Sequence, residues 1–212
     1  AELRQSLCLT PGAPGREHRG RQLILERIEG LFDDVTVDPL GSIIAVRKSR
    51  AQTEKPTRVM LAAHMDQIGF VVRHIGSDGF VRIQPVGGFD ARNLFARLVK
   101  IAPDLEDPSQ DLLGVLNPGV KPTHIATDED RKKIPELSDF VIDLGLPADE
   151  VQPKVKLGDM VTLVAPFETM GDAIVSQAMD NRIACWIAIC AIEKLVEDNT
   201  THAAEIHCVF TV

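Results

Sequence analysis

The order of apolar and polar positions predicts that the chain begins with a loop and a helix, followed by strands. Residues 10–15 are rich in Pro and Gly, and residues 17–31 carry apolar side chains with the period of an amphipathic helix. Three β-rich runs follow at residues 35–37, 42–47 and 58–63, separated by polar segments typical of turns. Because the third run ends in consecutive apolar residues, we expect it to be a buried strand of an α/β sheet.

A different pattern covers the middle of the chain, from about residue 68 to residue 165. Short alternating runs are divided there by Gly and Pro, and the clearest cover residues 71–75, 80–83, 97–101, 140–144 and 160–164. Short strands of this spacing are typical of a small β-barrel or sandwich. The only helix that the pattern suggests in this region is a short one around residues 135–137. The charged run at residues 128–133 is interpreted as a solvated loop.

The α/β pattern returns after residue 165. Residues 173–177 predict a short strand, residues 182–197 a helix that is apolar almost all round, and residues 205–212 a buried strand. One α/β domain interrupted by an inserted domain is the simplest organisation, because insertions succeed where a loop leaves and re-enters the same face. We therefore expect an α/β domain of residues 1–67 and 166–212, interrupted by a β-barrel domain of residues 68–165.

Composition and charge narrow the classes of partner. The 212 residues are 44% hydrophobic and 25% charged, and their formal net charge is −8. This negative charge opposes binding to nucleic acids and to anionic membranes, so neither is expected as a partner. No apolar run approaches the ~20 residues of a membrane span, and the first ten residues lack the basic and apolar regions of a signal peptide. A cytoplasmic location is therefore expected.

The four cysteines indicate neither a metal site nor a disulfide framework. They show no C-x-x-C spacing, and they are too few for a secreted disulfide scaffold. We expect Cys8, Cys185, Cys190 and Cys208 to be free thiols, mostly buried.

His64 and Asp66 directly follow the apolar run at residues 59–63. Open α/β sheets place their ligands at the carboxyl ends of strands, and alternate residues of a strand point the same way. A histidine that binds a metal usually has its second ring nitrogen held by a carboxylate or a carbonyl, which Asp66 could provide. A hydrogen-bonded core histidine would give the same short pattern, so both interpretations stay open.

Asp180 stands just before the helix predicted at residues 182–197, after a strand that we expect in the same sheet as His64. Aspartate is a favoured helix N-cap, and a plain cap would explain this residue without a metal. A carboxylate near His64 could instead bridge two divalent ions ~3.5–4 Å apart, as in binuclear hydrolases. Neither His64 nor Asp180 decides between these alternatives alone.

Several segments taken together resemble one family of enzymes. The main ones are residues 62–70 (AAHMDQIGF), residues 84–88 (QPVGG) and residues 178–182 (AMDNR), with residues 10–16 and 40–45 in support. In order and spacing they resemble the glutamyl and deblocking aminopeptidases, dinuclear metallopeptidases that form tetrahedral dodecamers and are sometimes labelled endoglucanases. The resemblance implies an incomplete phosphorylase/hydrolase-like α/β domain of the zinc-peptidase type. It also implies that the inserted barrel mediates dimerisation.

The resemblance further implies roles for single residues. His64 would ligate one metal, Asp66 would orient that imidazole as part of the catalytic machinery, and Asp180 would bridge two divalent ions, zinc or cobalt. The peptide bond between Asp180 and Asn181 would be cis. The implied activity is removal of N-terminal residues from peptides. The implied partners are further copies of the chain, with a dimer as the building block of a larger assembly.

The sequence departs from this family at its carboxyl end. Family members continue past a strand like residues 206–211 with a Glu-Glu pair, a base followed by a ligand, whereas this sequence ends at Val212. Two ligands cannot fill the coordination of two zinc ions, which take about four donors each, so we expect metal binding by this chain to be weak or absent. Without the base we expect the chain alone to be inactive, and a sheet cut at this point would leave an unpaired edge.

Two other functions are considered. A metal-independent glycoside hydrolase would need a pair of carboxylates on either side of a sugar ring. A non-catalytic oligomerisation or peptide-binding module would act through exposed strand edges. Metal dependence of the activity separates the first alternative from the peptidase, and assembly without metal or hydrolysis would favour the second.

Overall fold

A computed structural model describes residues 2–121 and 124–212, which divide into two compact units. One unit comprises Ala1–Gln67 and Pro166–Val212, and the other comprises Ile68–Ala165. Each unit has its own cluster of buried apolar side chains. The α/β class with a small closed barrel, as predicted from the sequence, is confirmed.

The amino-terminal part of the first unit contains two helices and three strands. They are α1 (Glu2–Leu9), α2 (His18–Arg27), β1 (Asp34–Val37), β2 (Ile43–Arg47) and β3 (Arg58–His64). The sequence pattern did not predict α1. The second helix ends earlier than predicted because Gly30 has a φ of 76°, outside the helical region, although Ile28 still packs into the core and so continues the apolar period.

Within its described residues, the second unit is a closed barrel of six strands with two short α-helices and three single-turn 3-10 helices. Its strands and α-helices are β4 (Gly69–Ile75), β5 (Val81–Val86), β6 (Arg97–Ala102), β7 (Leu112–Pro118), α3 (Asp128–Lys132), β8 (Phe140–Asp143), α4 (Ala148–Val151) and β9 (Met160–Leu163). The strands follow the order β4-β5-β8-β7-β6-β9, and their pairs are antiparallel. Side chains from all six strands fill the interior, among them Phe70, Ile83, Val99, Leu116, Phe140 and Val161.

Two elements of the barrel unit differ from the sequence prediction. Strand β7 was missed because Gly114 resembles a strand breaker, yet packing requires a glycine there: a Cβ would lie 2.6 Å from the Ile142 side chain. The predicted solvated loop at residues 128–133 is wrong, since most of it forms α3. Thr127 caps this helix by accepting a hydrogen bond from the Asp130 amide, and the Asp130 carboxylate accepts one from the Thr127 amide in return.

The remaining elements of the first unit are β10 (Glu168–Met170), β11 (Ala173–Val175), α5 (Met179–Glu197) and β12 (Glu205–Thr211). Strands β10 and β11 pair with each other as a separate hairpin, whose turn contains Gly171 at a φ of 59°. The prediction that the strand before Asp180 belongs to the main sheet is therefore wrong. Its short length and local turn allow pairing with its neighbour alone.

The main sheet has the order β1-β2-β12-β3, with β12 antiparallel to β2 and parallel to β3. Strand β12 buries alternate residues, Ile206, Cys208 and Phe210, beneath α2 and α5. Strand β3 lies at the sheet edge in the described part of the chain, and Met60 is 68% exposed. The prediction of a buried strand here is wrong for its first half, because apolar composition does not reveal an edge position.

None of the helices in the described ranges combines the length and apolar character that a membrane span requires.

Candidate metal centre

Strand β3 brings His64 and Asp66 to the carboxyl end of the main sheet. His64 is the last residue of the strand and pairs with Thr211 of β12, and the Met65 amide then donates to the Thr211 carbonyl at 2.8 Å. The Met65 side chain is buried in the core, while the His64 and Asp66 side chains on either side of it are partly exposed. The alternation expected of an extended chain therefore continues through Asp66.

Asp180 lies in an irregular first turn of α5. Asp180 and Asn181 have non-helical backbone angles, and the peptide bond between them is cis, as the family resemblance implied. The regular helix begins at Arg182, as predicted. The residue directly before the regular helix is Asn181, and the N-cap of the whole span is Ala178, so Asp180 occupies neither cap position.

The His64 imidazole lies between two carboxylates from distant parts of the chain. Its Nε2 atom is 3.3 Å from Oδ1 of Asp180, and its Nδ1 atom is 2.9 Å from Oδ1 of Asp66. The Nδ1 atom is shielded from solvent and close enough to Asp66 for an ion pair, although the two groups are not aligned for a hydrogen bond. The Asp180 side chain is 95% exposed. The structure thus brings all three predicted residues together.

The donor spacing fits a tetrahedral metal ion. With zinc–ligand distances of about 2.0–2.1 Å, two donors on one tetrahedral ion lie about 3.3–3.4 Å apart. The separation of 3.3 Å between His64 Nε2 and Asp180 Oδ1 is compatible with this value, and without an ion it is a hydrogen-bond distance between the two groups. Within residues 2–121 and 124–212, no group of three or more His, Cys, Asp or Glu side chains is arranged to hold a metal. These residues therefore supply a pair of donors, fewer than the four that zinc commonly takes.

Arg182 contacts the backbone between His64 and Asp66, and it was not predicted as a functional residue. Its side chain is buried, and Nε donates to the Met65 carbonyl at 2.7 Å. Its other nitrogens donate to the carbonyls of Leu7, Thr10 and Gly12. Burial lowers the pKa of the guanidinium to about 10, which leaves it protonated at neutral pH. The sequence signals for this role were an arginine at the start of a largely apolar helix and its place at the end of the AMDNR segment that resembles the family.

Cys185 also contacts the ligand segment. Its thiol donates to the His64 carbonyl at 3.4 Å from one turn further along α5. Burial raises the pKa of this thiol to about 12, so it remains a neutral donor at physiological pH. The backbone of His64 is thus supported by α5 as well as by β12.

The comparison with protein families identifies one family for most of the chain. The M42 glutamyl aminopeptidase family matches residues 41–212, a range that includes His64, Asp66 and Asp180. A lysyl aminopeptidase of Pyrococcus furiosus is 29% identical over 216 residues, which cover 100% of this chain and 58% of that protein.

Two solved structures share the fold along the whole chain. The TET1 peptidase of Pyrococcus horikoshii, which can assemble into a tetrahedron or a large octahedral shell, is 28% identical with a TM-score of 0.83, over 100% of this chain and 60% of that one. A Thermotoga maritima protein named an endoglucanase is 31% identical with a TM-score of 0.79, over 99% of this chain and 58% of that one. The chain spans little more than half the length of these relatives.

Proposed function

Because the chain belongs to the M42 glutamyl aminopeptidase family, we propose that it forms part of a cocatalytic metallo-aminopeptidase that removes N-terminal residues from peptides. The family match confirms the resemblance that the sequence motifs indicated. The observation that carries the proposal is the separation of 3.3 Å between His64 Nε2 and Asp180 Oδ1, because two residues 116 positions apart present donors at the spacing of a tetrahedral ion.

His64 and Asp180 act as metal ligands in this proposal, and Asp66 orients His64. A carboxylate beside Nδ1 favours the tautomer that carries its proton there, so Nε2 keeps the lone pair needed for a metal. Asp180 presents a largely exposed carboxylate that can bridge two ions, zinc or cobalt. Such ions, when bound, polarise a peptide carbonyl and lower the pKa of a bound water.

The described residues do not complete this machinery. The further ligands and the glutamate base that the family resemblance implies would come from a protein of the relatives' full length. We therefore expect the 212-residue chain to bind metal weakly and to hydrolyse nothing by itself. A cytoplasmic location also stays a prediction.

Zinc titration at the relatives' full length, where the further ligands are present, tests the ligand assignment. We expect His64→Ala and Asp180→Ala each to weaken zinc binding at least tenfold, because each removes one of a small number of donors. His74→Ala is the matched control, since it removes an exposed histidine from the barrel. Isothermal titration calorimetry measures the affinities, and zinc binding that is unchanged in His64→Ala would contradict the assignment.

The endoglucanase name of the Thermotoga maritima relative makes glycoside hydrolysis the second candidate. A glycosidase would use two carboxylates and no metal. At the relatives' full length, the peptidase hypothesis requires that a chelator abolish hydrolysis of peptides and that zinc or cobalt restore it. Hydrolysis of a glucan that survives the chelator would favour the glycosidase.

The barrel unit carries an apolar surface suited to self-association. On the outer face of the β6–β7 ladder, Leu98 pairs with Val115, Leu113 lies opposite Lys100, and all three apolar side chains are exposed. A closed barrel has no free strand edge, so an interface built on its strands uses an outer face such as this one. With the assembly of the TET1 relative in support, the occupant is a second copy of the chain, which forms the dimeric building block of a larger homo-oligomer. In this proposal the barrel unit mediates assembly of an enzyme. The alternative, a non-catalytic oligomerisation module, would show assembly without hydrolysis.

A further inference from the structure

The guanidinium of Arg182 connects two segments that are distant in sequence. The residue is 2% exposed, and its hydrogen bonds reach Met65 at 2.7 Å, Leu7 at 2.7 Å and Gly12 at 3.3 Å, all at backbone carbonyls. Thr10 supplies a further carbonyl. Met65 stands between the proposed ligand His64 and the orienting residue Asp66, and Arg182 itself is two residues from Asp180. One side chain therefore spans both ligand-bearing elements and the amino-terminal loop.

The loop supports the ligand segment from its other side as well. The Gly12 carbonyl accepts a hydrogen bond from the Gln67 amide at 2.8 Å in addition to the one from Arg182. Backbone groups of residues 65 and 67, on both sides of Asp66, are thus fixed by Arg182 and by the loop that Arg182 holds. Removing the guanidinium would leave several buried carbonyls without donors, so this arrangement depends on it.

Gly12 leaves room for the guanidinium, since a side chain at this position would have to displace the end of Arg182. A Cβ at this position would lie 2.6 Å from Nη2 of Arg182, closer than side chains tolerate. In contrast, Gly20 lies within α2 and has no heavy atom within 4 Å of its Cβ position. The two glycines therefore provide a matched pair of substitutions, one that displaces the guanidinium and one that does not.

We propose that Arg182 is a positioning residue for the candidate metal centre. The Arg182 side chain holds the segment from His64 to Gln67 close to Asp180. This inference rests on the proposed function, since the centre it positions is the one formed by His64 and Asp180. Residues that support a metal ligand without touching the ion commonly contribute 10–100-fold to metal affinity.

Amide hydrogen exchange of the 212-residue chain and zinc titration at the relatives' full length, where the further ligands are present, test the proposal together. Gly12→Ala should weaken zinc binding about tenfold and speed exchange of the Met65 and Gln67 amides. Gly20→Ala should change neither. Arg182→Lys keeps the charge but cannot reach all four carbonyls, so it should give the same two effects. If Gly12→Ala fails to fold, Arg182→Lys decides the question.

The possible failures are distinguishable. If Gly12→Ala and Arg182→Lys bind zinc as tightly as the unchanged chain, Arg182 has no positioning role, although the metal centre stands. If the two variants speed exchange without weakening zinc binding, Arg182 supports only the fold and the proposal is overturned. If His64→Ala binds zinc like the unchanged chain, the metal centre itself is wrong and the role of Arg182 falls with it.

Discussion

Burial controls the chemistry of the cysteines. Those at positions 8, 185, 190 and 208 are free and three of them are buried, as predicted. Burial raises the pKa of Cys208 to about 11, because a thiolate would lose its hydration in the core between the sheet and the helices. In the unfolded chain the same thiol would ionise near pH ~8.5.

This difference in pKa predicts a loss of stability in alkali. Between pH ~8.5 and about 11 the unfolded chain has released the Cys208 proton while the folded chain retains it, so the free energy of unfolding falls as pH rises. Cys208→Ala should make this slope shallower, by at most ~1.4 kcal/mol per pH unit for one proton. Urea unfolding at several pH values measures the slope. Cys190→Ala is the comparison: burial also raises the pKa of this thiol, but the residue is less buried, so its removal should change the slope less. An unchanged slope in Cys208→Ala would contradict the prediction.

Strands β3 and β12 of the main sheet are both largely apolar, but we expect substitutions in them to change the free energy of unfolding by different amounts. Strand β12 lies between β2 and β3 and buries Phe210 in the core, whereas β3 lies at the edge and exposes Met60. Their positions, and not their composition, therefore decide what a substitution costs.

Alanine substitutions measure this difference. Phe210→Ala should lower the free energy of unfolding by about 3–5 kcal/mol, because it leaves a cavity in the core. Met60→Ala should change it by no more than ~0.5 kcal/mol, because the side chain is already in solvent. Denaturant unfolding followed by circular dichroism gives both values. Equal losses for the two variants would show that β3 is covered in solution.

Periodicity predicted most elements because an apolar side chain at every second, third or fourth position marks one buried face. It missed β7, where Gly114 fits a neighbour's side chain, and it placed β11 in the wrong sheet, since a strand's own pattern does not identify its partner. The helix α3 was missed because its stability comes from the Thr127 cap and not from an apolar face.

The candidate site was predictable where side chains carry the chemistry. His64, Asp66 and Asp180 are residue types that bind or orient metals, and their motifs pointed to one place. Arg182 was not predictable, because its partners are backbone carbonyls, which every residue has. The metal roles of the first three residues remain predictions that the zinc titrations test.

The exposed apolar face of the β6–β7 ladder predicts that the whole molecule self-associates. Leu113→Glu should shift the chain to smaller species, because it places a charge in the apolar face of the β6–β7 ladder. Leu157→Glu is the matched control, since Leu157 is 68% exposed in the same unit and Leu113 is 57% exposed. Sedimentation equilibrium measures the mass. A mass unaffected by Leu113→Glu would place the interface elsewhere.

The contacts of Arg182 have a consequence for which sequences this fold can accept. Because the guanidinium bonds to main-chain oxygens, it recognises the route of the amino-terminal loop and not the identity of its side chains. Exchange of the half-buried Thr10 for another residue keeps its oxygen in place, whereas Leu7 is also fixed by its buried side chain in the core. Loss of a single residue between them would displace the oxygens by up to ~3.6 Å, more than a hydrogen bond can absorb. The segment from Leu7 to Gly12 is therefore expected to tolerate a substitution at Thr10 better than a change in its length.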